Sequence, residues 1–236
     1  MKYRLIAAVA IAAGLSVATA IPVGAATRGT PQVNGDLLLY AMPSTSAFGS
    51  SYTSSSSNST GKKLLSTRAR YHVPSMSCVN FESYSRIGVY GDTAGAWDAF
   101  YNPDWRPQWP TVIRAVQAVN QFPSNNAAMT FYRQALAKYQ ACQDFTEPNP
   151  GDHTPGGGTV AVSATSVTKT LIGRNLAFQV VQDAAFSELS GEQIHMNELY
   201  VVSGNDVYHF WDLSATNDEP WPSLMAELIR NVQRLR

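Results

Sequence analysis

Four consecutive segments between Thr159 and Leu213 have the period-two pattern of β-strands, and this feature constrains the fold more than any other in the chain. The segments are Thr159–Thr165, Leu176–Asp183, Gln193–Val202 and Val207–Leu213. Glycines separate them, and the last two are joined through Gly204-Asn205, which suits a two-residue hairpin turn. Since strands joined by such short turns pair antiparallel, the pattern predicts an antiparallel sheet.

The hairpin turn also predicts which residues of the last two strands face each other. Counting outward from the turn opposes Val202 to Val207, Tyr200 to His209, Glu198 to Trp211 and Met196 to Leu213. Three ionisable side chains, Glu198, Tyr200 and His209, are therefore expected on one face. They could bind a ligand or exchange protons, but cross-strand polar pairs on a solvated face give the same pattern. The solvated-face interpretation is favoured, because the sequence fixes no nucleophile or second acid beside them.

Two amphipathic helices are predicted to flank this sheet. The first runs from about Asn125 to Gln143, with Ser124 as its N-cap. Its apolar face carries Met129, Tyr132, Leu136 and Tyr139, and the stripe of the C-terminal helix carries Trp221, Leu224, Leu228, Val232 and Leu235. Helices packed against an antiparallel sheet make an α+β fold. A brief helix at Leu37–Met42 and a strand at Leu64–Val73 are also predicted.

Residues 1–26 are typical of a secretory signal peptide. Two basic residues begin it, an apolar run follows, and cleavage is expected after Ala20 or near Ala25. The run of about 13 residues is shorter than the roughly 20 that a spanning helix needs, so cleavage is favoured over an uncleaved anchor. The region has no cysteine for a lipid anchor. The protein is expected to be exported to the periplasm, cell envelope or medium, with no stable transmembrane span after cleavage.

Residues 33–236 are expected to form a single domain. Within it, residues 44–61 are rich in Ser, Thr and Gly and predict a flexible loop that buries almost nothing. Cys78 and Cys142 are the only cysteines. In an oxidising compartment such a pair favours a disulfide, which would tie the end of the first helix to the core. Two free buried thiols are the alternative.

Charge and motif content argue against several classes of protein. The chain has 17 basic and 17 acidic residues, so it lacks the positive field of a nucleic-acid binder. Its histidines, His72, His153, His195 and His209, do not fall at metal-ligand spacings. A G-x-S-x-G motif is absent, and Gly156-Gly157-Gly158 precedes a predicted strand, whereas a phosphate site needs a helix N-terminus. No metal, cofactor or nucleic acid is therefore expected.

Several of these features together resemble a known family. They are Cys78, Val89-Tyr90-Gly91, Val119 and Phe122 before a Ser-capped helix, Tyr139 three residues before Cys142, a strand hairpin and a C-terminal helix. Residues 33–236 thereby resemble the PknH-like extracellular sensor domain, found at the outer end of a mycobacterial receptor serine/threonine kinase and as free-standing exported proteins. The resemblance implies a sheet with helices around a cleft, and a sensor-type function.

The chain departs from that family pattern in two ways. The kinase member has a second disulfide near its last hairpin, whose positions fall on Met196 and Leu213 here, so an apolar contact is expected instead. The sequence also contains no kinase domain and no second long apolar run. A sensor-type fold is therefore implied, without the means to signal across a membrane.

The aromatic segment Trp97–Trp109 is the best candidate for a ligand site. Aromatic faces stack on sugars or hold apolar chains, and an arginine can fix a carboxylate or phosphate. Trp97, Tyr101, Trp105 and Arg106 are the predicted ligand contacts, and the prolines of the segment predict a loop. Ordinary core packing of the aromatic rings is the alternative, and it is the favoured one.

The sequence therefore predicts an exported, non-catalytic binding domain for an envelope ligand, either a small molecule, a glycan or a lipid. Two other functions stay open. One is a cell-wall hydrolase whose carboxylates, such as Glu198 and Asp212, come together from separate segments. The other is a module that binds an envelope protein through an exposed apolar patch.

Overall fold

A computed structural model of the chain describes residues 33–49, 52–54, 59–60, 77–78, 93–101, 113–149, 158–187, 193–213 and 221–236. Its helices are α1 (Gly35–Ala41), α2 (Asn125–Ala141) and α3 (Trp221–Arg234), with a 3₁₀ helix at Thr45–Phe48. Its strands are β1 (Thr53–Ser54), β2 (Ser59–Thr60), β3 (Ala94–Tyr101), β4 (Ile113–Gln121), β5 (Phe145–Asn149), β6 (Gly158–Ile172), β7 (Asn175–Phe186), β8 (Gln193–Ser203) and β9 (Asp206–Asp212). The α+β class predicted from the sequence is confirmed.

The described strands form one antiparallel sheet. Eight of them lie in the order β1-β3-β4-β9-β8-β7-β6-β5, and β2 also pairs with β3. The predicted register of the last hairpin is confirmed, because Val202 opposes Val207, Tyr200 opposes His209, and Glu198 opposes Trp211. Met196 and Leu213 are buried in the same apolar cluster, in agreement with the apolar contact expected between them.

Two turns reverse the chain at the same end of the sheet. Gly204 has a φ of 61° between β8 and β9, and Gly173 has a φ of 62° between β6 and β7. This left-handed conformation favours glycine, because a Cβ atom would be strained there. Each turn has two residues, which fixes the register of the strands it joins.

Helices cover both faces of the sheet. On the α2 face, the aromatic side chains of α2 pack against the central strands; the buried set includes Phe131, Tyr132, Tyr139, Phe178 and Tyr200. On the α3 face, α1, the 3₁₀ helix and α3 pack together; the buried set includes Leu38, Phe48, Phe100, Phe210 and Leu228. Side chains alternate between faces along a strand, so the central strands are buried on both sides.

Helix α2 is fixed at both ends. The Ser124 hydroxyl accepts a hydrogen bond from the Ala127 amide at 3.2 Å, as expected of an N-cap. At the other end, the C-cap residue Cys142 forms a disulfide with Cys78, with the two Cα atoms 5.6 Å apart. The predicted helix and the predicted disulfide are both confirmed.

Two predictions about local structure are wrong in part. The tract 44–61 is predicted to bury almost nothing, but Phe48 is buried, and its ring centroid lies 4.7 Å from that of Phe100. The loop predicted for the aromatic segment does not include Trp97 and Tyr101, which belong to strand β3. The prolines on which that prediction rests lie outside the described residues.

Some sequence predictions fall outside the described residues. These are the signal peptide at residues 1–26 and the strand predicted at Leu64–Val73. The brief helix predicted at Leu37–Met42 is present as α1. Within the described part of the chain, no helix has the length and apolar character needed to cross a membrane.

Candidate functional site

A group of ionisable side chains lies together beneath α2. We call it the Glu198 cluster, and it comprises Tyr139 from α2, Glu198 and Tyr200 from β8, and His209 from β9. The Tyr139 hydroxyl donates to Glu198 Oε2 at 2.7 Å, and His209 Nε2 lies 2.9 Å from the same oxygen. The hydroxyls of Tyr139 and Tyr200 are 3.2 Å apart. The Tyr200 hydroxyl also donates to Glu198 Oε2, at 3.5 Å, so this carboxylate oxygen has partners on α2, β8 and β9.

The Glu198 cluster is closed to solvent. The exposed side-chain fraction is 1% for His209 and 0% for Glu198, and the Tyr200 ring stacks on the His209 ring at 4.1 Å. The expectation of a solvated polar face is therefore wrong, because α2 covers this part of the hairpin. A general acid or base must come within hydrogen-bond reach of its substrate. In this closed arrangement the cluster holds α2 on the sheet.

The carboxylate pair suggested for a hydrolase does not form. Glu198 opposes Trp211 on one face of the sheet, whereas Asp212 opposes Asn197 on the other. Successive residues of a strand point to opposite faces, so the sheet itself separates Glu198 from Asp212. That expectation is wrong, since a glycosidase needs both carboxyls on either side of one bond.

A second buried polar group joins the end of α3 to the sheet. Arg236 Nη2 donates to the two carboxylate oxygens of Asp206 at 2.7 and 2.8 Å, and the Tyr208 hydroxyl donates to Asp206 at 3.0 Å. Burial raises the pKa of the Asp206 carboxyl, and Arg236 opposes this rise. Burial also raises the pKa of the Tyr208 hydroxyl well above its usual range, helped by the nearby Asp206 charge. These contacts fix the C-terminal end of α3.

Asp98 on β3 is a further carboxylate that is partly buried. Burial raises its pKa, although hydrogen bonds from the Ala99 amide and the Gln117 side chain lower it. Gln117 in turn donates to the Pro43 carbonyl at 2.9 Å. Through Gln117, Asp98 is therefore linked to the segment around Pro43, which packs on the sheet before β1 begins.

The structure describes two of the four predicted ligand contacts, Trp97 and Tyr101. Trp97 is half-buried and packs against an apolar cluster that contains Val116 and Trp211. Tyr101 ends the same strand, four residues further on, at a register irregularity between β3 and β4. Trp105 and Arg106 lie outside the described residues. The packing contact of Trp97 agrees with the alternative interpretation of this residue.

Sequence reasoning missed an accessible concavity between the β6–β7 turn and α3. We call it the hairpin groove; its lining comprises Leu171, Ile172, Gly173, Pro222, Ser223, Ala226 and Arg230. Its volume is about 380 Å³, and an adjoining space of about 200 Å³ extends along α3 to Gln233. Two small residues beside the buried stripe of α3, Ser223 and Ala226, line the groove, and a Cβ atom at Gly173 would meet nothing within 4 Å.

The sequence held one usable signal for this groove. Arg230 lies off the apolar stripe of α3, and leucines flank the Gly173-Arg174 turn on both sides. The periodicity of the sequence predicts both the β6–β7 turn and helix α3, but it does not predict that the two lie next to each other.

The described residues contain no group of three or more His, Cys, Asp or Glu side chains placed to hold a metal ion. His195 instead pairs with Asp183 at 2.7 Å across β7 and β8, and His209 belongs to the Glu198 cluster. His72 and His153 lie outside the described part of the chain.

Comparisons with known proteins complete this description. No family model matches the sequence, and no curated protein matches it. Among solved structures, the chain is similar to the extracellular domain of PknH from Mycobacterium tuberculosis. The two share 16% sequence identity, the match covers 87% of this chain and 100% of that chain, and the TM-score is 0.48. A likeness of this size assigns neither a family nor an activity, so membership of the PknH-like sensor family stays a prediction.

Proposed function

We propose that this protein is an exported, non-catalytic binding domain that holds an anionic, partly apolar ligand of the cell envelope in the hairpin groove. The observation that carries the proposal is the difference in solvent access between the Glu198 cluster and the hairpin groove. The Glu198 cluster is enclosed, whereas the hairpin groove is open and combines an aliphatic lining with the guanidinium of Arg230.

The chemistry of the groove favours binding over catalysis. Arg230 is the one charged residue among the described groove lining, and the other side chains there are aliphatic or small. An apolar wall with one well-placed charge fixes the orientation of a ligand that has an apolar chain and an acidic end. Its volume of about 380 Å³ falls within the range of roughly 300–1,000 Å³ typical of small-molecule sites.

Export is supported by the disulfide. Cys78 and Cys142 are bonded, and such bonds persist in oxidising compartments and are rare in the cytosol. The disulfide and the signal-like sequence of residues 1–26 both favour export, so the ligand is expected to come from the cell envelope.

The test measures binding of dodecanoate and of dodecanol, its uncharged counterpart, to the purified protein by calorimetry. We expect dodecanoate to bind more tightly, because only the carboxylate can pair with Arg230. Arg230→Gln should abolish that preference while dodecanol binding stays unchanged. Ala226→Phe should weaken both ligands, because the larger side chain fills the groove.

Arg133→Gln is the matched control, since Arg133 is an exposed arginine on the outer side of α2. The proposal is wrong if the Ala226→Phe and Arg230→Gln variants bind both compounds like the wild type. Native mass spectrometry of protein taken from its own envelope would then identify the natural ligand, as mass that is lost on denaturation.

The aromatic segment remains a second proposed contact surface. Its support is Trp97, which lies on β3 and is only partly buried. Trp105→Ala and Arg106→Ala test it: ligand affinity should fall while the melting temperature stays unchanged. Unchanged affinity in both variants would restrict the site to the hairpin groove.

A further inference from the structure

The tip of the β6–β7 hairpin presents an apolar pair to solvent. Leu171 and Leu176 oppose each other across the two strands, next to the turn, and they are 59% and 47% exposed. Opposed residues in an antiparallel pair have Cβ atoms about 5 Å apart, so the two side chains form one patch. The neighbouring turn is open, because a Cβ atom at Gly173 would touch nothing.

The charged residues of the β6–β7 hairpin itself have one sign near its tip. Between Thr159 and Gln182 the sequence contains Lys169 and Arg174 and no acidic residue, and both cations are exposed. Helix α2, which covers the same face of the sheet as the two leucines, contributes Arg133 and Lys138 and no acid. On the other side Arg230 lines the groove, and the one acidic residue of α3 is Glu227.

We propose that the tip of the β6–β7 hairpin docks on the surface of an anionic lipid bilayer. Leu171 and Leu176 would enter the boundary between headgroups and acyl chains, and Lys169 and Arg174 would contact the phosphates. Apolar side chains bordered by cations are the combination that holds peripheral proteins at anionic membranes.

A bilayer fits this surface better than a protein partner. A stable protein interface buries about 1,600 Å² and has an apolar centre of many residues, whereas this patch consists of two leucines on a narrow turn. A soft interface can accept a small convex tip, and each leucine buried there gains from leaving water. The tip and the groove adjoin, because Leu171 lines the groove as well. Leu176 does not line it, so substitutions at Leu176 and at Ala226 test the two sites separately.

Sedimentation with lipid vesicles tests the proposal. The purified protein should bind vesicles of phosphatidylcholine with one third phosphatidylglycerol, and it should bind at least tenfold more weakly to phosphatidylcholine alone. Raising the salt concentration from 0.1 to 0.5 M should weaken binding to the phosphatidylglycerol vesicles, because salt screens the attraction between the cations and the phosphates. Leu176→Ser should lower the partition coefficient at least fivefold, and Leu171→Ser with Leu176→Ser should lower it more.

Tyr40→Ser is the apolar control, since Tyr40 on α1 is 86% exposed. Arg174→Gln should reduce the preference for phosphatidylglycerol, and Ala226→Phe should leave vesicle binding unchanged. The proposal is overturned if the wild type ignores anionic vesicles, or if Tyr40→Ser weakens binding as much as Leu176→Ser does. Loss of dodecanoate binding in Ala226→Phe with normal vesicle binding would show that groove and tip act independently.

Discussion

At the scale of single residues, two carboxylate–histidine pairs of similar length differ mainly in their access to solvent. His209 and Glu198 are 2.9 Å apart and almost fully enclosed, whereas His195 and Asp183 are 2.7 Å apart with about a third of each side chain exposed. Water screens an exposed pair and solvates either partner when it is left alone. An enclosed pair has no such replacement, so loss of one partner leaves a buried polar group unsatisfied.

This contrast predicts different costs for two matched substitutions. Glu198→Gln should lower the free energy of unfolding by about 3 kcal/mol, because it disturbs the partners from α2, β8 and β9 together. Asp183→Asn should cost less than about 1 kcal/mol. Urea unfolding of both variants at neutral pH measures the difference. Equal losses would mean that burial does not decide the strength of these pairs.

At the scale of elements, α2 depends on contacts outside itself. Its 17 residues include several exposed polar ones, and its buried aromatic face packs on the sheet. Most of the stability of a helix in a protein comes from packing of its apolar face, so packing, the Ser124 cap and the disulfide hold α2 in place. Reduction of the disulfide would therefore remove one of the three restraints on this helix.

The disulfide accordingly has a measurable effect on stability. It joins residues 64 positions apart, and closing a loop of that length in the unfolded chain is worth about 4 kcal/mol in the chain-entropy model. Replacing Cys78 and Cys142 together by Ser should lose stability of this order in urea unfolding. Amide hydrogens of α2 should also exchange faster. Wild-type protein unfolded with a reductant is the control and should match the double variant, and a loss below about 1 kcal/mol would contradict the prediction.

At the scale of the whole molecule, the sheet divides the core into separate layers. Phe131 belongs to the apolar cluster under α2, and Leu228 belongs to the cluster under α3. The two clusters share no residue, because alternate side chains of each strand point to different faces. A substitution in one layer should therefore change the contribution of the other layer to the free energy of unfolding only slightly.

Additivity of substitutions tests this division. Leu228→Ala should cost about 2–5 kcal/mol, and Phe131→Leu should cost less, because it removes less volume. The double variant should show the sum of the two losses within about 0.5 kcal/mol in urea unfolding. A larger departure from the sum would show that the sheet transmits changes between its faces.

Much of the fold follows from patterns within short segments. The hairpin register, the Ser124 cap and the buried stripe of α3 were predictable, since each depends on residues close together in the chain. Strands β3, β4 and β5 were not predicted. Alanines in β3 and β4 weaken their strand pattern, and their identity as strands comes from pairing with each other and with β9.

The sequence by itself determined the α+β class, the last hairpin and its register, and the disulfide partners, because local periodicity, turn chemistry and cysteine count specify them. Only the tertiary structure decided that α2 encloses Glu198 and that Asp212 lies across the sheet from it. It also decided that the β6–β7 turn meets Arg230 of α3. These are contacts between segments far apart in the chain, and they depend on how layers stack, which no short pattern encodes.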